Sequence, residues 1–549
     1  MPIALPPPLP PVQGIAEEIQ QQGSAYVTAE VQEVQLHVIG PDVVSKDVLT
    51  LVITSAATMS DAVRLVQGLY YAAGYPGVQV SYALVQPDLF VLVRLGAVAE
   101  VEAPAPYDRY LSGVVGADPL TDDALEPGRT LASLHADRAG QTATPVFKAD
   151  EDGRMVLRIE PQDGAPKRGF IGAEFGNPGN RFVGRHFLDW FASHSLTTGD
   201  DFRATGRHVL EGLSDEPGAG GYHEHSLGWS RVTPWGLFGL SGRYVGYQQI
   251  LDLSGTAPEP LGGGGLLSSL LSPVFDLLTG LLGPANVADP VSFDGNIRQA
   301  ELGWTYLLAA DFSSRWTVGS KVDYTRKDFS TTFFGEQTVQ RQEYGSAEVS
   351  TDYSTLTHPL GLQTELGGTL AVRSGLGDDK TDEPLTAADL GYLMYRATLS
   401  AKTQLHEWVS MSLVATGQVS GDRLPEQEQW VMGGVGNLEA YLPGVAAGDS
   451  GGVARLQFEL KGLSLGTLTV RPRIFAEYGV ARYEEPLVGQ ASGTQAISDG
   501  GVSLAMSLGP SLEASVSYAE SISEDRIEQS VLDRADANVF FRVAAKFCF

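Results

Sequence analysis

The chain has 549 residues, too many for one soluble core but enough for a large barrel with small appended domains. Acidic residues outnumber basic residues by 66 to 37, and a net charge of -29 argues against nucleic acid as a partner, since phosphate binding needs clustered Lys and Arg. No apolar run approaches the roughly 20 residues of a membrane-spanning helix, whereas the alternating strands of a transmembrane barrel escape hydropathy windows.

The cysteine, glycine and aromatic contents give further information about disulfides and architecture. The only cysteine is Cys548, so no intrachain disulfide can form. Glycine, with 64 residues, suits turns and barrel bends, and the 20 tyrosines and 21 phenylalanines suit aromatic girdles at membrane interfaces. The chain opens without the charged and apolar segments of a secretory leader, so an outer-membrane location requires that a leader was removed.

The first third of the chain predicts a tail and two small α+β domains. Residues 1–30 are rich in Pro and then Gln, which is typical of an extended tail. Residues 31–103 contain the pattern of a strand, two helices and two strands, at 34–38, 46–56, 61–73, 78–82 and 89–93. Residues 104–165 predict a second domain, with a helix start at 119–123 and strands at 144–148 and 155–159.

Residues 166–549 predict a transmembrane β-barrel. Alternation replaces helical periodicity here; in the last strand Val539, Phe541 and Val543 fall on one face, and Arg542 and Lys546 on the other. So many strands share this pattern that we expect a polar lumen and a lipid-facing exterior, with a soluble β-sandwich or propeller as the alternative. Short and long connections alternate and give about sixteen antiparallel strands, an even number as bacterial single-chain barrels require.

Four stretches carry a family resemblance. They are Gly74-Tyr75 with residues 78–93, residues 119–121 with 137–141, Asn177 to Arg185, and Gly433-Gly434 with residues 448–460. In this order they resemble the two POTRA domains, the first barrel hairpin and the sixth surface loop of the two-partner secretion transporters (TpsB type), the exporters of haemolysins and filamentous haemagglutinins. That family is in the superfamily of the barrel-assembly protein BamA. The resemblance covers nearly the whole chain.

The resemblance implies a function and its partners. Periplasmic POTRA domains would capture an unfolded secreted exoprotein (TpsA type), which would pass through a monomeric barrel in the outer-membrane lipid. The family implies no catalytic residue, metal ion or cofactor, and the sequence contains no phosphate loop, zinc spacing or nucleophile elbow. Capture by β-augmentation would use exposed strand edges, for which the candidate residues are Val78, Val80, Tyr82, Leu89, Val91 and Val93.

The sixth loop of the family folds back into the lumen, where an arginine of its Val-Arg-Gly-Tyr tip pairs with an acid of a Phe-x-Asp-x-Gly strand motif. Here the strand motif is nearly kept at residues 475–479, but the tip aligns with Leu438 to Tyr441 and has Glu439 in place of the arginine. Like charges would then face each other. We expect Glu439 to pair with Arg473 or Arg471 instead, with no pairing at all as the alternative. The candidate residues of this contact and its lumen surroundings are Glu439, Tyr441, Arg471, Arg473, Phe475, Glu477 and Gly479.

Other functions and motifs remain open at this point. A barrel-assembly insertase predicts a weak pairing between the first and last strands, and a plain porin predicts dispensable N-terminal domains. The string at residues 448–452 occurs in serine proteases, but the chain lacks their other motifs, so we expect a turn and no enzyme.

Two further segments have a structural interpretation. His223-Glu224-His225 predicts a polar cluster at the barrel rim rather than a metal site. The Leu-rich stretch 262–283 predicts a self-packed loop, with an amphipathic lid as the alternative.

Overall fold

The computed structural model describes residues 25–549 except 32, 86, 150–154, 164–167, 181–182, 211–212, 214–220, 252–290, 332–336, 378–387 and 487–490. The Leu-rich stretch 262–283 and most of the N-terminal tail therefore lie outside the described residues. The chain forms two small α+β domains followed by a closed antiparallel barrel, which confirms the predicted fold class. Among the described residues, no helix has both the length and the apolar character needed to cross a bilayer.

The first domain is a four-stranded sheet covered by two helices. Its elements are β1 (Val27–Val31), β2 (Val34–Ile39), α1 (Lys46–Thr54), α2 (Met59–Ala72), β3 (Val78–Val85) and β4 (Asp88–Leu95). The sheet order is β1-β2-β4-β3. Thr58 caps α2 by accepting a hydrogen bond from the backbone N–H of Asp61, and Gly74 follows the helix with a φ of 93°, which glycine adopts without strain. Apolar residues of both helices and all four strands form one core.

The second domain is a three-stranded sheet packed on one long helix. Its elements are β5 (Val98–Glu102), α3 (Asp108–Leu111), a 3-10 turn (Ser112–Val114), α4 (Asp122–Ala139), β6 (Gln141–Ala149) and β7 (Met155–Asp163). The sheet order is β5-β7-β6. Strand β5, which the predicted bounds include in the first domain, pairs with β7 in the sheet of the second domain.

The barrel begins directly after the second domain. Its strands are β8 (Gly169–Gly176), β9 (Phe187–Ser195), β10 (Asp200–Val209), β11 (Tyr222–Thr233), β12 (Gly236–Leu251), β13 (Val291–Ala310), β14 (Ser314–Thr331), β15 (Gln337–Thr357), β16 (Thr364–Gly375), β17 (Leu393–His406), β18 (Val409–Ser420), β21 (Ser450–Leu460), β22 (Leu463–Leu465), β23 (Leu468–Arg482), β24 (Gln495–Leu508), β25 (Leu512–Asp525) and β26 (Val539–Cys548). Both β21 and β22 pair with β23 on the same side, so they count as one barrel strand. The barrel therefore has sixteen strands. The strands β19 (Trp430–Met432) and β20 (Ala446–Gly448) and the helix α5 (Gln529–Ala535) lie in connections.

The barrel wall has the two faces that the alternation predicts. Exposed apolar side chains such as Leu227, Leu302 and Leu399 cover the exterior. The interior holds ion pairs between neighbouring strands, for example Arg207 with Asp189 at 2.7 Å. Since large apolar side chains are stable in such numbers only against lipid, this arrangement is that of an outer-membrane barrel.

The second domain is fixed to the barrel through α4. The guanidinium of Arg138 donates hydrogen bonds to the backbone oxygens of Gly199 and Ser230, at 2.8 and 3.1 Å. The buried His135 ring lies between the Tyr110 hydroxyl and the backbone oxygen of Thr197. These barrel residues belong to or adjoin the short connections, so the N-terminal domains lie at the end of the barrel that has the short connections.

Candidate functional site

Residues 421–449, called the inner loop below, join β18 to β21 and enter the lumen. Both ends of the loop are held by Asp449, whose carboxylate accepts hydrogen bonds from the backbone N–H groups of Leu424 and Glu484 at 2.9 and 3.0 Å. Gln418 donates to the backbone oxygens of Glu428 and Asp449. The protease-like string at residues 448–452 is therefore a structural junction at which the inner loop leaves the barrel wall.

The first part of the inner loop binds one side of the lumen. A 3-10 turn (Glu426–Glu428) presents two carboxylates to strands β14 to β17. Glu428 accepts hydrogen bonds from Arg373 at 2.8 Å and from Arg396 at 2.9 Å, and Glu426 pairs with the buried Lys327. Hydrogen bonds between charged groups are strong in a partly dry lumen. These contacts therefore fix the 3-10 turn of the inner loop to the barrel wall.

The tip of the inner loop, Leu438 to Tyr441, binds the opposite side of the lumen. The guanidinium of Arg455 on β21 donates to Glu439 at 2.5 Å and to Glu477 on β23 at 2.9 Å. The backbone N–H of Glu439 donates to Glu477 at 2.9 Å, and that of Ala440 donates to Asp499 on β24 at 2.7 Å. One arginine and three buried carboxyl groups thus lie at the tip, and we call them the lumen cluster: Arg455, Glu439, Glu477 and Asp499. Arg455 binds Glu439 and Glu477, and Asp499 stands opposite Glu477 in the strand register.

Apolar contacts also help to bind the tip of the inner loop to the barrel wall. A side-chain Cβ at Gly479 would lie 2.7 Å from a methyl carbon of Leu438, so only glycine leaves room for the tip at this position. The ring of Phe475 lies under the Arg455 guanidinium at 4.1 Å, a favourable cation–π distance. The glycine and phenylalanine of the strand motif therefore have defined contacts with the tip or with its arginine.

Tyr441 connects the tip to the last long connection. Its hydroxyl donates to Glu524 at 2.7 Å. The backbone of the adjacent residue Leu442 donates to Ala535 at the end of α5, and Ala537 donates back to Ala440. The inner loop therefore crosses the lumen and is held on both sides. A cavity of about 250 Å³ remains between the loop and strands β11 to β14.

The expected partners of Glu439 are wrong. The structure pairs Glu439 with Arg455, whereas Arg473 pairs with Glu459 at 2.6 Å. The register explains the difference: Arg455 stands directly opposite Glu477, while Arg473 lies four residues along β23, about 13 Å away. Arg471 lies still farther toward the short connection. Alternation along a strand identifies the lumen face but not the height of a residue in the lumen.

Several residues of the site were not identified from the sequence. Glu426, Glu428 and Asp499 were not among the candidates, although each is buried and bound to the inner loop or within it. Alternation could have placed Lys327 and Arg373 in the lumen. A buried cation needs an acidic partner, so the two acids Glu426 and Glu428 in the following long connection could have been predicted to bind these cations.

Part of the predicted cargo-binding edge is also wrong. Strand β4, with Leu89, Val91 and Val93, lies between β2 and β3, so both of its sides are already paired. Strand β3 is at the edge, but Val78 and Val80 point into the domain core, and Tyr82 packs against that core. At these three predicted positions the free edge therefore offers the backbone of β3 and not the side chains.

Comparisons with known proteins agree with this architecture. Residues 284–496, a range that includes the inner loop and most of the lumen cluster, match the family model described as haemolysin secretion/activation protein ShlB/FhaC/HecB. The chain is similar in structure to CdiB from Escherichia coli (13% identity, TM-score 0.65) and to CdiB from Acinetobacter baumannii (13% identity, TM-score 0.59), and each likeness covers 97% of both chains. No curated protein matches the sequence.

Proposed function

We propose that this chain is an outer-membrane transporter related to the two-partner secretion family, whose N-terminal domains capture a secreted partner protein in the periplasm and whose barrel exports it. In this orientation the short connections and both domains face the periplasm, and the long connections face outward. The chain works as a monomer, since one barrel provides the whole path.

The observation that carries the proposal is the inner loop in the lumen. Export requires that this loop leaves the path, and its contacts at the tip centre on the single cation Arg455. The ion pair that joins the tip to the wall, Glu439 with Arg455, and a few hydrogen bonds can be replaced by water or by the cargo. The tip is therefore a closed gate whose opening is coupled to the lumen cluster.

Capture of the cargo would use free sheet edges of the N-terminal domains. In the described sheets these edges are β1 and β3 of the first domain and β5 and β6 of the second. An extended cargo segment can add as a further strand, with backbone hydrogen bonds providing affinity and little sequence dependence. The cargo would then reach the lumen past the junction of the second domain and the barrel, where a cavity of about 960 Å³ adjoins Tyr110 and Trp235. Folding of the cargo outside the cell would drive the passage.

The insertase alternative predicts a weak pairing of the first and last strands. In the structure β26 pairs with β8 over seven residue pairs, as many as β26 forms with β25 on its other side. The Asn177 side chain extends this pairing by donating to Val539 and accepting from Phe541. These contacts give no support for an open side of the barrel.

Co-expression with the secreted partner, sought as the product of the neighbouring gene, tests the proposal. The partner is expected in the medium with the full chain, and in the periplasm when residues 25–163 are deleted. Heat-modifiable migration in a gel verifies that the truncated barrel is folded. Secretion that persists without the N-terminal domains would contradict the capture model, and solute uptake as the only activity would support a porin.

A further inference from the structure

Three histidines and one arginine lie together on the exterior of the barrel. His208, His223 and His225 are outward-facing residues of β10 and β11, and the rings of His208 and His225 are 5.0 Å apart. The Glu224 side chain between the two β11 histidines points to the lumen, where it pairs with Arg243. Among the described residues no group of three or more His, Cys, Asp or Glu side chains is arranged to hold a metal ion.

Arg298 continues this group on β13. The register aligns His225, Tyr244 and Arg298 in one row across three neighbouring strands. The Arg298 side chain is exposed and forms no hydrogen bond or ion pair with any described residue, whereas Arg326, one strand farther, is paired with Asp328 and Glu343. The row therefore presents an uncompensated cation together with imidazole N–H donors.

An apolar groove lies directly beneath this row. The next outward-facing position on each strand is two residues, or about 7 Å, closer to the short connections. These positions are occupied by Ala204, Leu227, Gly242 and Ala300. The small residues among them form the floor of a groove of about 770 Å³ on the barrel exterior, walled by larger apolar side chains such as Phe202 and Leu240. The groove extends toward the short connections, that is, into the depth of the lipid.

We propose that this surface binds one lipid of the outer leaflet that carries a phosphate headgroup, with the phosphate on His208, His223, His225 and Arg298 and an acyl chain in the groove. The height of the row, at the end of the barrel with the long connections, places it at the outer headgroup level in the orientation proposed above. Arginine and imidazole donors match phosphate oxygens, and basic surface sites between membrane segments select anionic headgroups. The occupant is a lipid rather than free phosphate because the groove continues the cationic row without a gap.

Native mass spectrometry of the detergent-solubilised full chain with added diphosphorylated lipid A tests the proposal. The wild-type chain is expected to retain one lipid, and the double variant Arg298→Gln/His225→Gln to bind about tenfold more weakly, as expected for the loss of charge-assisted hydrogen bonds. Gly242→Leu is also expected to weaken binding, because the new side chain meets no atom closer than 3.9 Å at Cβ and fills the groove.

Two matched controls accompany these variants. Arg341→Gln removes an exterior cation that Asp328 already neutralises, and Gly368→Leu adds a side chain on the exterior away from the groove. Both are expected to bind as the wild type does, and heat-modifiable migration verifies that every variant is folded. Equal binding by all variants would overturn the proposal, as would displacement by millimolar inorganic phosphate with Gly242→Leu unaffected. Because no cargo is present, these results are independent of the export assay.

Discussion

Arg455 donates a 2.5 Å hydrogen bond to Glu439, although one residue belongs to the barrel wall and the other to the tip of the inner loop. In the family that the sequence resembles, the loop supplies the arginine and the wall supplies the acid. Here the loop supplies an acid, and the wall supplies both the arginine and a second acid, Glu477. The attraction between loop and wall is therefore retained with the charged groups redistributed.

Replacement of the wall arginine is expected to open the barrel. In Arg455→Gln the carboxylates of Glu439 and Glu477 lose the one cation that pairs with them in the described part of the chain, and breaking a buried pair in this way costs about 3 kcal/mol or more. The open fraction should rise about a hundredfold, measured as conductance in planar bilayers and as protease cleavage of the inner loop. Arg473→Gln is the control, since it removes a lumen arginine whose ion pair, within the described residues, is with Glu459 and not with the inner loop. Equal conductance of the two variants would contradict a role for the lumen cluster.

Exchange of the two charges is expected to restore closure. Glu439→Arg alone places a second cation beside Arg455, and Arg455→Glu alone places three glutamates together. In the double variant Glu439→Arg/Arg455→Glu, the cation introduced in the loop would face acids at positions 455 and 477 of the wall, as in the family arrangement. A double-mutant cycle on the conductance should give a favourable coupling of about 1–3 kcal/mol. Additive effects of the two substitutions would show that the residues do not act through each other.

A change in the opposite direction is expected at the third carboxyl group. Asp499 stands directly opposite Glu477 in the strand register, and like charges in such a pair are unfavourable. Asp499→Asn removes the repulsion and keeps an oxygen that can accept the hydrogen bond from Ala440. The variant should therefore show fewer spontaneous openings in planar bilayers than the wild type. More frequent openings would mean that the negative charge itself holds the tip.

The outcome for this site shows what the sequence could and could not predict. The alternation at residues 539–549 was sufficient for the barrel, because a lipid exterior and a wet lumen impose opposite polarity on neighbouring residues. The partner of Glu439 could not be predicted in the same way, since it depends on the register that aligns Arg455 with Glu477. Strand order has the same limitation: the apolar run at residues 89–93 indicates a strand but not that it lies between two others.

The absence of a side chain at Gly479 is expected to be as important for seating the loop tip as the charges of the lumen cluster. A Cβ there would lie 2.7 Å from the Leu438 side chain, so Gly479→Val should displace the tip and raise the open fraction. The added volume can be compensated, because Leu438→Ala removes the nearest colliding atoms, and the Met432 sulfur at 3.0 Å belongs to a flexible side chain. Gly479→Val/Leu438→Ala should therefore be closed more often than Gly479→Val alone in the same conductance assay. Failure of this rescue would place the effect of the valine in the strand rather than in the tip.

The junction between the two N-terminal domains is expected to weaken as the pH rises. Asp122, at the start of α4, is buried; its backbone N–H donates to Gly74, and its carboxyl group lies near Glu126 and Asp311. Burial first, and these neighbouring acids second, raise the pKa of Asp122 to about 7, while Arg129 opposes the rise. The folded chain therefore holds a proton that the unfolded chain, with an ordinary pKa of about 3.9, has lost.

The sign of the effect follows from this difference in bound protons. The contribution of Asp122 to stability is present in full below about pH 4 and is lost as the pH rises through 7, with a slope of at most about 1.4 kcal/mol per pH unit. Hydrogen-exchange protection of residues 119–126, corrected for the intrinsic rate, should fall between pH 5 and pH 8 in about this manner. Asp122→Asn should abolish the dependence, whereas Asp123→Asn, which removes only one of the smaller contributions to the raised pKa, should move its midpoint to lower pH without abolishing it. A flat profile in the wild type would show that the carboxyl group is already ionised at pH 5.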